Sequence, residues 1–397
     1  MGIKDLLSEL KKRYDGLKHE KVFLQSFAGH RLAVDVSVYA YVFMAVARKE
    51  AIKYTDPLRQ DPKHTPMRSF WLERYFNMMV AMLECQITPI AVFDGPHFHL
   101  KQGTKDDRAK AYDDRAKEIA QLRSELNDEH DDKKMMRLKM KLEHHITFEE
   151  EDWRALEEMF RAMGIPVVKP DTEAEAICAR LVHRGYATAV VTKDGDALAH
   201  MAPFMITDIT RSYRHDRPWH TCTVYSLNEI LDQIELKHHE FTQFCMLLGT
   251  DYNDRIKGFG FVGSLKLIKK YGNIEDALKE VRRKVEASNK KKMGTPKEKD
   301  IIDLDQYRLF DDAIRNEIYG YFTGDLGARL EHFPVVMYQH GLHGCFQDIF
   351  MGQNRQRMLD QVPKIVELLH TFNQSFAALQ KIVLVPKTDE VDNSQNE

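Results

Sequence analysis

No stretch of this 397-residue chain is apolar for long enough to span a membrane, and its opening, MGIKDLLSELKKRYDG, lacks the apolar core of a signal peptide. The sequence therefore reads as one that stays inside the cell, with no membrane partner. Cysteine is sparse: Cys85, Cys178, Cys222, Cys245 and Cys345 are scattered, odd in number and free of any C-x-x-C spacing. That excludes both a disulfide framework and a zinc site and leaves buried thiols. Myristoylation at Gly2 is excluded too, because the motif asks for Ser or Thr at the sixth position and Leu6 stands there. Excess positive charge is also missing. The formal net charge is −3, which at face value argues against a polyanionic partner.

What is present is a chain with 43% hydrophobic residues, enough to bury a large core in one extended domain or two unequal ones. Several short apolar runs end in acid. HRLAVDVS runs into Asp35, ITPIAVFDG into Asp94, and YATAVVTKDGD into Asp194 and Asp196. GIPVVKP is a further strand that delivers the chain to Glu173 and Glu175, while FCMLLGTDYND ends an apolar helix at Gly249 and presents Asp251. Helical patterns separate these runs, so the expected fold is α/β, a mostly parallel central sheet flanked by helices. In such sheets ligands bind beyond the carboxyl ends of the strands, where these acids gather.

Each acid also has a plainer reading. An aspartate after a strand is usually a turn residue or a helix N-cap. Thr172 with Glu175 has the spacing of a capping box, beside an apolar stripe of Ala174, Ile177, Cys178 and Leu181. Seven acids on one sheet edge are different, since like charges a few ångströms apart cannot all stay ionised without a counter-charge. Oxygen-only ligands favour Mg2+ or Mn2+ over zinc. A set of this size suits two ions roughly 3.5–4 Å apart, the arrangement that clamps the attacking and leaving oxygens of an in-line phosphoryl displacement. The substrate class is then a phosphodiester. With those seven acids set aside the charge moves from −3 to +4, and without the four acids of the tail TDEVDNSQNE it reaches +8. The remaining surface is basic.

MGI at the start, VDVSVYAY, AVFDG, MGIPVVKPDTEAEA, VTKDGDAL, LLGTDY and IKGFGFVGSLKLIKKYGNIEDAL occur in one order over residues 1 to about 280. In that order and spacing the chain resembles the flap endonuclease/XPG family of structure-specific 5′ nucleases. The resemblance implies a PIN-like nuclease core, a helical arch and a helix-two-turn-helix element. It implies that Asp35, Asp94, Glu173 and Glu175 hold one metal ion and Asp194, Asp196 and Asp251 the other. Lys101 and Arg108 match the family's two basic catalytic residues at the base of the arch. Their i, i+7 spacing independently puts both on nearly one helix face, where cations stabilise charge on a scissile phosphate. Tyr41 matches an aromatic that stacks on a base, with an ordinary core position as the alternative. Gly2, Gly258, Gly260, Lys266, Lys269 and Lys270 are the further expected DNA contacts, the last five in the helix-two-turn-helix, where the family also holds K+. Phe261, Val262 and Gly263 depart from the pattern there, standing where relatives carry Pro and basic residues, and a plain packing corner stays open.

On this reading 1–100 is an N-terminal nuclease region, 101–160 the arch, and 161–280 the internal nuclease region, with the helix-two-turn-helix at about 245–280. A basic loop or linker follows at 281–300, readable equally as a nuclear targeting cluster, then a helical region at 301–387 and an acidic disordered tail at 388–397. QKIVLVPK offers Gln380 without the aromatic pair of a sliding-clamp motif. The expected protein is a monomeric, nuclear, magnesium-dependent hydrolase acting on DNA with a free 5′ end at a junction. A 5′ exonuclease of the same family and a non-catalytic DNA-binding scaffold are the alternatives.

Overall fold

The computed structural model describes residues 2–62, 64–95, 101–128, 131–215, 217–295 and 297–324. The strands are β1 (His19–Phe23), β2 (Arg31–Asp35), β3 (Thr88–Val92), β4 (Val167–Val168), β5 (Ala189–Val191), β6 (Phe204–Thr210), β7 (Tyr213–Arg214), β8 (Arg217–Pro218) and β9 (Thr221–Ser226). The helices are α1 (Leu6–Arg13), α2 (Val36–Ile52), α3 (His64–Glu84), α4 (Gln102–Asp128), α5 (Asp132–Glu143), α6 (Glu150–Ala162), α7 (Ala174–His183), α8 (Asp196–Ala199), α9 (Leu227–Ile234), α10 (His238–Leu248), α11 (Phe261–Tyr271), α12 (Ile274–Lys292) and α13 (Asp312–Thr323). Seven strands form one sheet in the order β1-β9-β6-β5-β2-β3-β4, with β7 and β8 a separate small hairpin. Only β9 runs against its neighbours β1 and β6; the other pairings are parallel. The fold is thus a mostly parallel α/β sheet, and β2, β3 and β5 point their C-terminal ends to one edge.

The apolar runs have no polar face because both faces of the sheet are covered. Leu32 and Val34 of β2, Ala91 of β3, and Ala189 and Val191 of β5 pack with α2, α3 and α6. Their alternating neighbours Ala33, Ile90, Val92 and Val190 pack with Ala174, Ile177 and Cys178 of α7 on the other side. A third cluster joins α1 to α9 through α13. No described helix is long and apolar enough to cross a membrane.

Three segments differ from the sequence expectation. The alternating charges of 101–160 predict a solvent-exposed helical pair, but α4 and α5 bury Ile119, Leu122, Leu126, Leu138 and Leu142 in an apolar seam with Ile52 of α2, so the pair is seated on the body. α6 belongs to the sheet's cover through Leu156, Met159 and Phe160. The supposed linker from 281 continues α12 to Lys292, because Ala277, Leu278, Val281 and Val285 keep a buried stripe that the run of lysines and arginines obscures. Of the C-terminal helical region, only the part to 324, including α13, is described; Gln380 and the acidic tail lie outside the described residues.

A buried ionic knot ties α3 to the β7–β8 hairpin. Glu84 accepts from Arg211 at 3.0 and 3.2 Å and from Tyr213 Oη at 2.7 Å, and it lies 2.7 Å from His220 Nε2. Its side chain is 7% exposed. Burial alone would raise this carboxyl, but the bonds from His220, Arg211 and Tyr213 outweigh burial and draw it down to about 2. A folded value below the unfolded one means that the contribution is full above about pH 4.5 and disappears as pH falls toward 2. Glu84→Gln is expected to cost about 3 kcal/mol in urea unfolding at neutral pH. The deficit should shrink across that acid window; a deficit that is independent of pH would contradict the assignment.

Candidate active site and metal centre

The acids reach one edge by separate routes. Asp35 ends β2 and caps α2, its Oδ1 accepting from Val38 N at 3.3 Å and its Oδ2 from Thr192 Oγ1 at 2.9 Å. Thr192 follows β5, so this bond ties two neighbouring strand ends together. Thr192 Oγ1 also accepts from Asp194 N at 3.1 Å, and Asp194 Oδ1 accepts from Asp196 N at 3.0 Å. Asp94 follows β3, and its Oδ1 accepts from Ala174 N at 2.9 Å, so an aspartate distant in sequence satisfies the start of α7. Gly95 is required here: a Cβ would collide with the backbone of Pro170 and Thr172, and its own N–H donates to Thr172 O at 2.8 Å. The capping-box reading fails at this point. The N-cap is Glu173, not Thr172, and its side chain makes no capping bond, which leaves both glutamates available to the site.

Lys101 lies among them. Its Nζ contacts Glu173 and is 3.2 Å from Glu175 and 3.4 Å from Asp251. Arg108, half exposed, reaches the same Asp251 Oδ2 at 2.8 Å. Lys101, just ahead of α4, and Arg108, within it, therefore converge on Asp251. Gly2 lies over Asp194 and Asp196 with a φ of +78°, and a Cβ there would overlap Asp194 Oδ1. The chain's first residues thus close over that acid pair.

Electrostatics follow from this crowding. Burial, then the charges of Glu175 and Asp94, raise Asp35 well above the carboxylate range. Burial and Asp194 do the same for Asp196. Loss of hydration followed by Glu175 raises Asp94, and the same causes in the same order bring Asp194 to about 6. Within the glutamate pair, burial and Glu175 raise Glu173. Burial works against Glu175 as well, but Lys101 and a hydrogen bond from Glu173 hold it low. The Lys101 ammonium relieves part of the repulsion. Lys101 is itself raised: burial opposes its charge, and Glu175, Glu173 and Asp251 outweigh it.

Whether these residues suit a cation can be judged from their donors. Among the described residues no three stand ready-arranged around a common metal position. The ammonium of Lys101 draws three of the acids to itself instead. Yet both carboxylate oxygens of the buried Asp196 lack any hydrogen-bond partner. Buried polar groups are rarely left in that condition, and an orphaned carboxylate beside further acids is what a hard divalent cation satisfies. The donor set fits the ion.

The XPG N-terminal domain model matches residues 1–115, and the XPG I-region model matches 164–251. Flap endonuclease 1 of Naegleria gruberi is 31% identical over 285 residues, spanning 71% of this chain and 68% of the relative. Flap endonuclease 1 of Entamoeba dispar is 30% identical over 317 residues, 78% of this chain and 79% of its own length. The chain belongs to the flap endonuclease/XPG family. Two solved structures bear out the fold of this family member. The catalytic core of Rad2 in complex with DNA substrate has a TM-score of 0.58 at 19% identity, covering 91% of this chain and 99% of that one. Flap endonuclease-1 from Methanococcus jannaschii has a TM-score of 0.56 at 19% identity, covering 90% and 98%.

Other residues expected at the site of this XPG-family chain take varied positions. Tyr41 is exposed on α2, edge-on to Phe148 with ring centroids 5.1 Å apart, and so is not core. Gly258, with a φ of +90°, and Gly260, the N-cap of α11, form the turn between α10 and α11. Phe261 begins α11 buried in the core, which accounts for an apolar residue there. Lys266 is exposed, Lys269 pairs with Glu235 at 2.6 Å, and Lys270 lies 4.8 Å from the Tyr271 ring.

Two residues escaped sequence reasoning. Thr192 ties Asp35 to Asp194. Tyr252 donates to Glu173 Oε2 at 2.9 Å, and its ring lies 5.4 Å from Lys101 Nζ. It is wedged against Tyr321 and Phe322 of α13, with ring centroids 5.0 and 5.5 Å away. Its place beside Asp251 is the only sequence signal. Tyr252→Phe removes this bond to Glu173; if Glu173 holds a metal ion, loss of such a bond behind it costs about tenfold in affinity. The magnesium dependence of cleavage should shift to about tenfold higher concentration with the plateau rate little changed. A lower plateau at an unchanged midpoint would contradict this role.

Proposed function

We propose that this chain is a divalent-metal-dependent nuclease that cleaves DNA phosphodiester bonds at single-strand/double-strand junctions carrying a free 5′ end, in replication or repair. The observation that carries the reading is the meeting of Glu173, Glu175 and Asp251 on Lys101, with Arg108 reaching the same Asp251, beside the orphaned carboxylate of Asp196. Asp35, Asp94, Glu173 and Glu175 would hold one Mg2+ and Asp194, Asp196 and Asp251 a second, with Mn2+ able to substitute. When bound, such cations supply a lowered pKa for water and neutralisation of charge at the phosphate.

The chain's own side chains do the rest. Lys101 contacts Glu173, Glu175 and Asp251, and Arg108 contacts Asp251. With those acids holding cations, Lys101 and Arg108 would be available to a scissile phosphate, where preorganised positive charge is worth most. Tyr41, exposed and braced by Phe148, offers a face to a base. The backbone amides at Gly258 and Gly260 and the nearby Lys266 and Lys270 suit duplex phosphates, with K+ at the same turn. The products are a 5′-phosphate and a 3′-hydroxyl, and the enzyme works as a nuclear monomer.

A 5′-labelled double-flap substrate in magnesium tests this. A single cut near the junction is expected. Release of the label as a mononucleotide would replace the endonuclease with an exonuclease, and binding without cutting would leave a scaffold.

A further inference from the structure

Behind the acids, α13 meets three segments that each carry part of the site, although it lies beyond the run of motifs that ends at about residue 280. Arg180, in the last turn of α7, donates to Gly324 O, just past the end of α13, at 3.3 Å. His200, which follows α8, packs against Tyr321 and Phe322 with ring centroids 5.1 and 4.8 Å away. Tyr252, next to Asp251, packs on the same two rings, and its carbonyl accepts at 3.0 Å from Arg308 Nη1, in the turn ahead of α13. α7 opens at Glu173 and Glu175, and α8 opens at Asp196. One helix thus touches the segments that present Glu173, Glu175, Asp196 and Asp251 while placing no acid among them.

The contact through Tyr252 reaches furthest into the site. Its hydroxyl donates to Glu173 Oε2 at 2.9 Å, whereas Glu173 makes no capping bond that would fix it on its own helix. The direction of that carboxylate therefore depends on where the Tyr252 ring stands. That ring is buried, edge-on to Tyr321 at 65° and to Phe322 at 72°, and edge-to-face pairs hold a ring's orientation as well as its place. Tyr321, Phe322 and Ile318 are themselves buried in the cluster that α13 shares with α10, so the corner is anchored.

We propose that Tyr321 is a positioning residue for the metal centre: its ring sets the Tyr252 hydroxyl on Glu173, and α13 thereby braces the acids from behind. The proposal rests on the nuclease reading above, which takes Glu173 as a ligand of a divalent cation. Partners behind a ligand orient it before the ion arrives, and their loss costs about 10- to 100-fold in metal affinity.

Calorimetric titration of magnesium into the metal-free full-length chain tests the brace, with the magnesium dependence of flap cleavage as a second readout. Tyr321→Leu keeps an apolar side chain but removes the ring, and should weaken uptake about tenfold. Tyr321→Phe keeps the ring and should stay within about twofold of the parent. Leu278→Ala, on α12, opens a cavity in the same cluster and serves as the control for lost stability; its uptake should match the parent's. The decisive arm is the double variant. With the Tyr252 hydroxyl gone Tyr321 has nothing left to aim, so Tyr252→Phe/Tyr321→Leu should bind magnesium as Tyr252→Phe does and no more weakly. Losses that multiply to about 100-fold would overturn the proposal, because Tyr321 would then act by another route. So would an equal loss in Leu278→Ala, or parental uptake in a folded Tyr321→Leu. If Tyr321→Leu does not fold, Phe322→Leu, which removes the other ring against Tyr252, takes its place under the same expectations. A parent that takes up no divalent cation would sink the nuclease reading itself.

Discussion

Asp196→Asn is expected to melt at a higher temperature than the parent in chelator and to cleave flap DNA about 10³-fold more slowly in magnesium. Asp196 is fully enclosed, both its oxygens lack partners, and Asp194, Glu175 and Asp251 all act on it with like charge. Without a cation, folding must either protonate this group or bury its charge, and each costs free energy. Asparagine removes that cost at nearly constant volume, for a gain of about 1–3 kcal/mol. The same change would remove one of the metal ligands proposed above. Magnesium should consequently raise the melting temperature of the parent, by the usual linkage of ligand binding to stability, and raise that of the variant less. A variant that melts lower than the parent in chelator and cuts normally would contradict this account of the buried acid. Stability and function are in conflict at this position, as is common where charge is concentrated for chemistry.

Lys101→Met is expected to have the opposite stability signature. This ammonium is the main counter-charge to Glu173, Glu175 and Asp251. Removing it leaves buried carboxylates uncompensated, at a cost of about 3–5 kcal/mol. The sign with pH follows from groups already raised by burial and crowding: Glu173, Asp194 and Asp196 hold protons in the folded state that they lose when unfolded. The deficit of the variant should therefore grow as pH rises from about 5 to 8, and magnesium should recover most of it. Cleavage should stay at least about 10²-fold below the parent even when stability is restored, because the charge proposed to act at the phosphate is missing. Arg108→Ala should separate the two effects. Its guanidinium is half exposed, so stability should change by less than about 1 kcal/mol while cleavage falls. Full recovery of cleavage by Lys101→Met in saturating magnesium would remove Lys101 from the chemistry.

The strand ends were legible because parallel strands covered on both faces read as short apolar runs, and the acid after each run marks the edge where the chain turns. Val34 before Asp35 and Val191 shortly before Asp194 follow that pattern. Contacts whose partners lie far apart in sequence were not legible. Nothing local tells that Asp94 serves the N-terminus of α7, 80 residues away, or that Tyr252 reaches Glu173 across 79. Local spacing even suggested a different cap, Thr172 with Glu175. The extent of α12 was hidden for another reason: the two basic runs at Arg282–Lys284 and Lys290–Lys292 outweigh the buried Val281 and Val285 in any compositional reading, although two valines at i, i+4 suffice to hold the helix on its neighbours. The formal charge of −3 is as uninformative, because it sums the seven acids of the site with every lysine and arginine of the chain.

Calorimetric titration of magnesium, and separately manganese, into the metal-free full-length chain measures the pairing of acids and cations directly. The account predicts saturable uptake of two ions, weakened in Tyr252→Phe and in Asp196→Asn. A folded chain that takes up neither metal, or takes up both unchanged in Asp196→Asn, would contradict it.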